Sequence, residues 1–86
     1  MPEISRFFGI VIRMYYDDHL PPHFHAEYSE HKAVVEIQSL AVIGGYLPPR
    51  AQGLVVEWAT QHREELLEVW NMAMNLLPLP KIMPLA

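Results

Sequence analysis

Four of the chain's five histidines lie between positions 19 and 31, and three of them surround a Pro-Pro pair. Segment 17–25 reads DDHLPPHFH, and Glu27 follows two residues later. Histidine has an ordinary pKa of about 6.5, which suits proton transfer or metal ligation near neutral pH. This density of imidazoles and carboxylates predicts a small functional site.

A metal site is one interpretation of the segment. If residues 23–28 form a strand, His23 and His25 point to the same face, about 6.6 Å apart by backbone rise, so both rings can lean onto one ion. His19 returns through the Pro-Pro turn, and Asp17, Asp18 or Glu27 completes the coordination sphere or orients a ring nitrogen. We expect no cofactor, with a divalent metal as the alternative, and its predicted ligands are His19, His23, His25 and Glu27.

Acid–base catalysis is a second interpretation, and it needs no metal. Two histidines of different pKa act as base and acid in phosphodiester cleavage, while Arg13 on an adjacent strand holds the phosphate. The aspartates then adjust the pKa values of the imidazoles. This predicts a metal-independent, ribonuclease-like activity with catalytic residues His19, His23, His25, Asp17, Asp18 and Arg13. A third interpretation is purely structural: a solvated strand face followed by an ordinary turn.

Composition limits the partners of such a site. The net charge is −4 and the six lysines and arginines form no cluster, so the electrostatic footprint of a nucleic-acid binder is missing. RNA then requires a surface supplied by a partner such as the ribosome. With 51% hydrophobic and 19% charged residues, the chain is rich in apolar surface for its 86 residues, which predicts a homo-oligomer, by default a dimer, or another protein partner.

The same composition leads us to expect a cytoplasmic protein that does not associate with a membrane. There is no cysteine, so disulfides and thiolate zinc sites are excluded. The sequence begins without the features of a signal peptide, and no run approaches the roughly 18 apolar residues of a membrane span.

Apolar alternation predicts that the chain is one domain, 1–86, with a β-sheet half at 1–47. Turn residues, including the Pro-Pro pair, separate the alternating segments. The predicted strands are Arg6–Tyr16, His23–Tyr28, Lys32–Ile37 and a short Leu40–Ile43, with a hairpin turn at 29–31.

Residues 48–77 have the spacing of a helix that begins at the second Pro-Pro pair and continues through Asn75. A single helix of about 28 residues spans roughly 40 Å, longer than a small domain is wide, so it projects or kinks at Gly53 or at 60–62. Tail 78–86 adds an edge contact or stays mobile. The predicted fold class is α+β: a small antiparallel β-meander of three to four strands packed against one long C-terminal helix.

Segment 17–28 as a whole resembles the signature of a small bacterial family catalogued as domain of unknown function 4160. Segments 7–10 (FFGI), 45–51 (GYLPPRA) and 62–67 (HREELL) are also similar to that family's pattern. Family members resemble one another in being encoded beside a second small protein, often one with a helix-turn-helix domain.

That gene arrangement suggests toxin–antitoxin pairs. The resemblance therefore implies the toxin of a type II module, which inhibits growth by interfering with translation or cleaving RNA and has a cognate antitoxin as its partner. The alternative is a non-catalytic binding module whose histidine cluster binds a divalent metal or a protein.

Overall fold

A computed structural model describes residues 2–86 as one antiparallel sheet followed by two helices. The strands lie side by side in chain order, which confirms the predicted α+β class and the meander. The prediction gave three to four strands and one helix, whereas the structure has five strands and two helices. The elements are β1 (Glu3–Phe7), β2 (Ile10–Arg13), β3 (His23–Tyr28), β4 (His31–Glu36), β5 (Val42–Gly45), α1 (Pro49–Gln61) and α2 (Arg63–Met74).

The prediction of a single first strand over 6–16 was wrong, because the chain reverses at Phe8 and Gly9. Both residues have positive φ, 48° and 80°, as a two-residue type I′ hairpin turn requires. β1 and β2 therefore pair with each other, and Phe7 lies opposite Ile10. Apolar alternation continues across such a short turn, so the pattern alone does not reveal the reversal.

β3 has the bounds that alternation predicts, His23–Tyr28. A turn of two residues, Ser29 and Glu30, connects it to β4, which begins and ends one residue earlier than predicted. The last strand exists but lies at Val42–Gly45 instead of Leu40–Ile43. Gly45 has φ of 72°, and a Cβ there would lie 2.1 Å from the carbonyl oxygen of Lys32, so β5 approaches β4 this closely only with glycine.

The predicted continuous helix was also wrong, because His62 divides it. Its backbone, with φ −126° and ψ 21°, leaves the helical region between α1 and α2. The break falls in the alternative kink at 60–62 and not at Gly53. A straight helix of about 28 residues would be roughly 40 Å long, whereas the longest dimension of the Cα trace is 33 Å. The break therefore lets both helical halves contribute to one core.

Trp58 of α1 is fully buried at the centre of this core. Its ring lies 5.3 Å from that of Phe7 and 5.8 Å from that of Phe24, measured between centroids. Its indole N–H donates to the carbonyl of Met83 at 2.9 Å, so the tail packs on the same core. No helix among residues 2–86 combines the length and apolarity needed to cross a bilayer.

The tail makes the edge contact that was one of its two predicted alternatives. The N–H of Ile82 donates to the carbonyl of Ile4 at 2.7 Å, and the hydroxyl of Ser5 donates to the carbonyl of Ile82 at 3.0 Å. Ile82 and Leu85 are buried. The tail thus satisfies backbone groups at the outer edge of β1 that an exposed edge strand would present to solvent.

Candidate functional site

The loop 14–22 is held at both ends before it enters β3. Asp17 adopts the left-handed conformation, with φ of 52°, and its N–H donates to the carbonyl of Ala73 in the last turn of α2 at 3.4 Å. At the other end, the carbonyl of Pro22 accepts the N–H of Ile37 at 3.0 Å. The Leu20–Pro21 peptide is cis. These contacts keep Asp18 beside the first residue of β3.

Asp18 and two histidines of β3 converge on one point. The Nε2 atom of His23 lies 2.9 Å from Oδ2 of Asp18, and the Nε2 atom of His25 lies 3.4 Å from the same oxygen. Their three potential ligand atoms all lie within 4.8 Å of one another. We refer to Asp18, His23 and His25 as the Asp18 cluster. It brings two imidazoles onto a single carboxylate, as metal and proton-transfer sites do.

His23 faces hydrogen-bond acceptors on both ring nitrogens. Its Nδ1 atom lies 2.7 Å from the carbonyl oxygen of Pro21, while Nε2 faces Asp18. A carbonyl oxygen only accepts, so Nδ1 carries a proton. In a neutral ring this leaves the Nε2 lone pair directed at a carboxylate. Either a second proton on Nε2 or a cation between the two atoms removes that repulsion.

Aromatic rings cover the cluster. His23 is 2% exposed, and the ring of Trp70 from α2 lies 5.1 Å from its ring. Tyr15 meets the ring of His25 edge-on, with 4.4 Å between centroids. The side chain of His25 remains 27% exposed. The cluster is therefore covered at His23 and open to solvent at His25.

The charge states follow from these surroundings. Burial acts to raise the pKa of Asp18, but the hydrogen bond from the backbone N–H of His19 and the contacts with the rings of His25 and His23 outweigh it, so this pKa lies below its ordinary value. Burial lowers the pKa of His25, which the Asp18 carboxylate only partly offsets. At pH 7 Asp18 is ionised and His25 is neutral.

Comparison with known proteins places the cluster within a family. The family described as "Domain of unknown function (DUF4160)" has a model that matches residues 9–71. The chain belongs to this family. No curated protein and no solved structure matches it. The DUF4160 match contains the whole Asp18 cluster and Trp70, whereas β1 and the tail lie outside it, so the resemblance seen in the sequence is confirmed at the level of the family.

Within the DUF4160 match, the other predicted residues of the loop lie at the rim of the cluster. The side chain of His19 is 87% exposed, with Nε2 3.7 Å from Oδ1 of Asp18. Its ring lies 5.4 Å from that of His23. Asp17 is exposed and contributes its backbone to the turn. Of the two aspartates, Asp18 is the one whose carboxylate enters the cluster.

Arg13 and Glu27 form a separate pair on the polar face of the sheet. Arg13 lies opposite His25 in the register of β2 and β3, as the phosphate-holding interpretation requires. Its Nε atom donates to Oε2 of Glu27 at 3.2 Å. Glu27 thus lies outside the group of convergent ligands, and the structure brings Asp18 to the position that the sequence interpretation gave to Glu27.

Sequence reasoning missed the aromatic contribution to the site. No spacing in the sequence connects Trp70 with His23, because the contact arises from the packing of α2 against the start of β3. Tyr15 had a weak signal, since it follows β2 by two residues and so begins the loop that carries Asp18.

Proposed function

We propose that this DUF4160 protein is the growth-inhibiting component of a bacterial toxin–antitoxin module and that the Asp18 cluster is its active surface. The observation that supports the active surface best is the convergence of two imidazoles on one partly buried carboxylate, with altered pKa values at Asp18 and His25. Support for the module comes from the resemblance described above, which implies a partner gene.

The chain's charge restricts the target of this activity. With a net charge of −4, the protein repels free nucleic acid at long range. Arg13 is the cation nearest in register to His25, and it forms an ion pair with Glu27. An RNA target must therefore be presented by a larger assembly that supplies its own binding surface for this protein. The ribosome meets this requirement, so we propose translation as the process that is impaired.

The Asp18 cluster offers two ways to activate a nucleophile. In the metal-independent mechanism, neutral His25 accepts a proton directly from an attacking hydroxyl group. In the alternative, a cation held by the cluster lowers the pKa of a bound water molecule. Both mechanisms put the reacting atom on the exposed side of the cluster, where His19 is free of cover and accessible to substrate.

An apolar groove on the surface supports a protein partner. It has a volume of about 360 Å³ and is lined by Phe8, Tyr28, Pro48, Arg50, Ala51 and Leu54. Phe8 is 60% exposed. Arg50 lies in the first turn of α1, and that turn contains no acidic residue. An antitoxin segment with an apolar side chain beside a carboxylate matches this combination.

Growth of a bacterial host under inducible expression tests the proposal. We expect wild type to arrest growth and co-expression of the neighbouring gene to restore it. Asp18→Asn and His25→Ala should lower toxicity by about 10²-fold, the usual contribution of acid–base groups. His31→Ala is the matched control, because His31 lies on β4 outside the cluster. If wild type leaves growth unchanged, the toxin proposal is lost.

The groove also favours a second candidate, a binding module that acts without chemistry. Such a module keeps its effect on growth in the Asp18→Asn and His25→Ala variants. It loses this effect when a charge enters the groove, as in Leu54→Asp. The toxin proposal predicts the reverse for growth arrest in the absence of the partner. Protein level and circular dichroism of each variant show whether a loss of effect reflects a loss of folding.

A further inference from the structure

We propose that the Asp18 cluster is a divalent transition-metal site of zinc type, with three protein ligands: Nε2 of His23, Nε2 of His25 and a carboxylate oxygen of Asp18. The inference concerns the cluster alone and holds whether or not the chain is a toxin. It differs from the ligand set expected from the sequence by replacing Glu27 with Asp18 and by leaving His19 outside the coordination sphere.

A hydrogen bond from His23 to the carbonyl of Pro21 already orients the imidazole ring. A metal-bound histidine almost always donates its other ring N–H to a carbonyl or carboxylate, which orients the ring and selects the tautomer. Nδ1 of His23 makes this contact at 2.7 Å. The Nε2 lone pair is thereby directed at Asp18, and a cation between these two atoms converts a repulsive contact into two favourable ones.

The distances within the cluster fit a small cation. Zinc bonds of about 2.0–2.1 Å in tetrahedral geometry separate the ligand atoms by roughly 3.4 Å. The two imidazole nitrogens lie 2.9 and 3.4 Å from Oδ2 of Asp18. All three ligand atoms lie within 4.8 Å of one another. Small side-chain rotations therefore complete the geometry without a change of backbone.

The donor set selects the class of metal. Two imidazoles and one carboxylate suit zinc and its neighbours among the transition metals, whereas calcium and magnesium prefer oxygen ligands throughout. Three protein ligands leave a fourth position, as in catalytic zinc sites. His25 is partly exposed, so this fourth position faces solvent. On the opposite side, Trp70 covers His23 and shields it from water.

A metal in this position supplies chemistry that the imidazoles alone do not. A divalent cation held by Asp18, His23 and His25 would lower the pKa of a water molecule at the open position to near neutrality, so that this water could release a proton to solvent and serve as a hydroxide nucleophile. The class of reaction that follows is hydrolysis, in which this hydroxide adds to an electrophilic phosphorus or carbonyl carbon and the leaving group takes up a proton. His19, exposed at the same side, is placed to donate that proton.

Zinc titration of protein purified without a histidine tag and stripped with a chelator tests the inference. We expect one Zn²⁺ per chain by calorimetry and elemental analysis, and a tetrahedral visible spectrum after substitution with Co²⁺. Asp18→Asn and His25→Ala should weaken zinc binding by about 100-fold or more, since the first replaces an anionic oxygen ligand by a neutral amide and the second removes a ligand. His31→Ala should bind like wild type.

Two results would overturn the inference: wild type that takes up no zinc, or Asp18→Asn and His25→Ala proteins that bind it as tightly as His31→Ala. Asp18→Asn keeps the shape of the side chain and His25 is partly exposed, so both variants are expected to fold, which circular dichroism checks. Metal content and growth arrest are separate readouts. A chain that binds zinc without arresting growth retains this inference and loses the toxin proposal.

Discussion

Among residues 2–86, two regions place a contact between histidine and carboxylate beside a tryptophan, and they differ in which elements converge and in how exposed the carboxylate is. In the Asp18 cluster, two imidazoles share one carboxylate and Trp70 covers His23. At the helix break, Nδ1 of His62 pairs with Oε1 of Glu65 at 2.7 Å, and the ring lies 5.5 Å from that of Trp58.

The difference lies in which residues converge and in how exposed the carboxylate is, since the Asp18 side chain is only 18% exposed. His62 and Glu65 are three residues apart at the start of one helix, and the Glu65 side chain is 54% exposed. Such a pair arises from local helical spacing and contributes little free energy. The cluster instead joins a loop and a strand around a partly buried carboxylate. Convergence of groups from a loop and a strand on one carboxylate, more than the presence of histidine, distinguishes a candidate site from a local contact at a helix end.

The largest expected effect comes from removing the buried ring. His23→Ala should lower the free energy of unfolding by about 2–4 kcal/mol, because it opens a cavity beside Trp70 and removes the donor to Pro21. His62→Ala should cost less, about 1–2 kcal/mol, since the exposed Glu65 is rehydrated and the main loss is the packing of the ring against Trp58. Urea unfolding in the presence of chelator measures both. Equal costs would mean that the two regions are energetically alike.

Acidification should produce a smaller effect that separates the regions by charge. The pKa of Asp18 is lowered in the fold, so its stabilisation is present above its unfolded pKa of about 3.9 and is lost as pH falls through the folded value. The lowered pKa of His25 has the same sign, with loss beginning below about 6.5. Stability of the metal-free protein should therefore fall between pH 7 and pH 3.

Variants identify the source of that pH dependence. Asp18→Asn and His25→Ala should each flatten the curve of unfolding free energy against pH, whereas His62→Ala should keep the wild-type slope. Chemical denaturation at a series of pH values gives the curves. A wild-type curve that is flat over this range contradicts the charge states derived for the cluster.

The smallest effect tests whether the helix is coupled to the cluster. Gly53 lies in α1, and a Cβ there would meet nothing within 4 Å. Gly53→Ala should raise the free energy of unfolding by about 0.5–1 kcal/mol through helix propensity. Zinc affinity should stay unchanged, because α1 contributes no group to the cluster. A shift in affinity would show that helix stability and ligand geometry are linked.

Local regularity made part of the fold predictable. The bounds of β3 follow from alternation, because a half-buried strand has a period of two whatever its neighbours are. The start of α1 follows from Pro49, since proline is tolerated in a first helical turn. The turn at Phe8 and Gly9 was missed, and the break at His62 was expected only as an alternative to a continuous helix, because both leave the apolar pattern in register on either side.

The candidate site, like the fold, was predictable from the sequence only in part. The sequence concentrated three histidines and two aspartates in one segment, and this alone determined where a site would lie and that it would suit a metal or proton transfer. Tertiary structure decided which carboxylate takes part. Asp18 enters the cluster because the loop is tied to Ala73 and Ile37, whereas Glu27 pairs with Arg13. Such contacts join residues distant in the chain, so they depend on packing that no local pattern encodes.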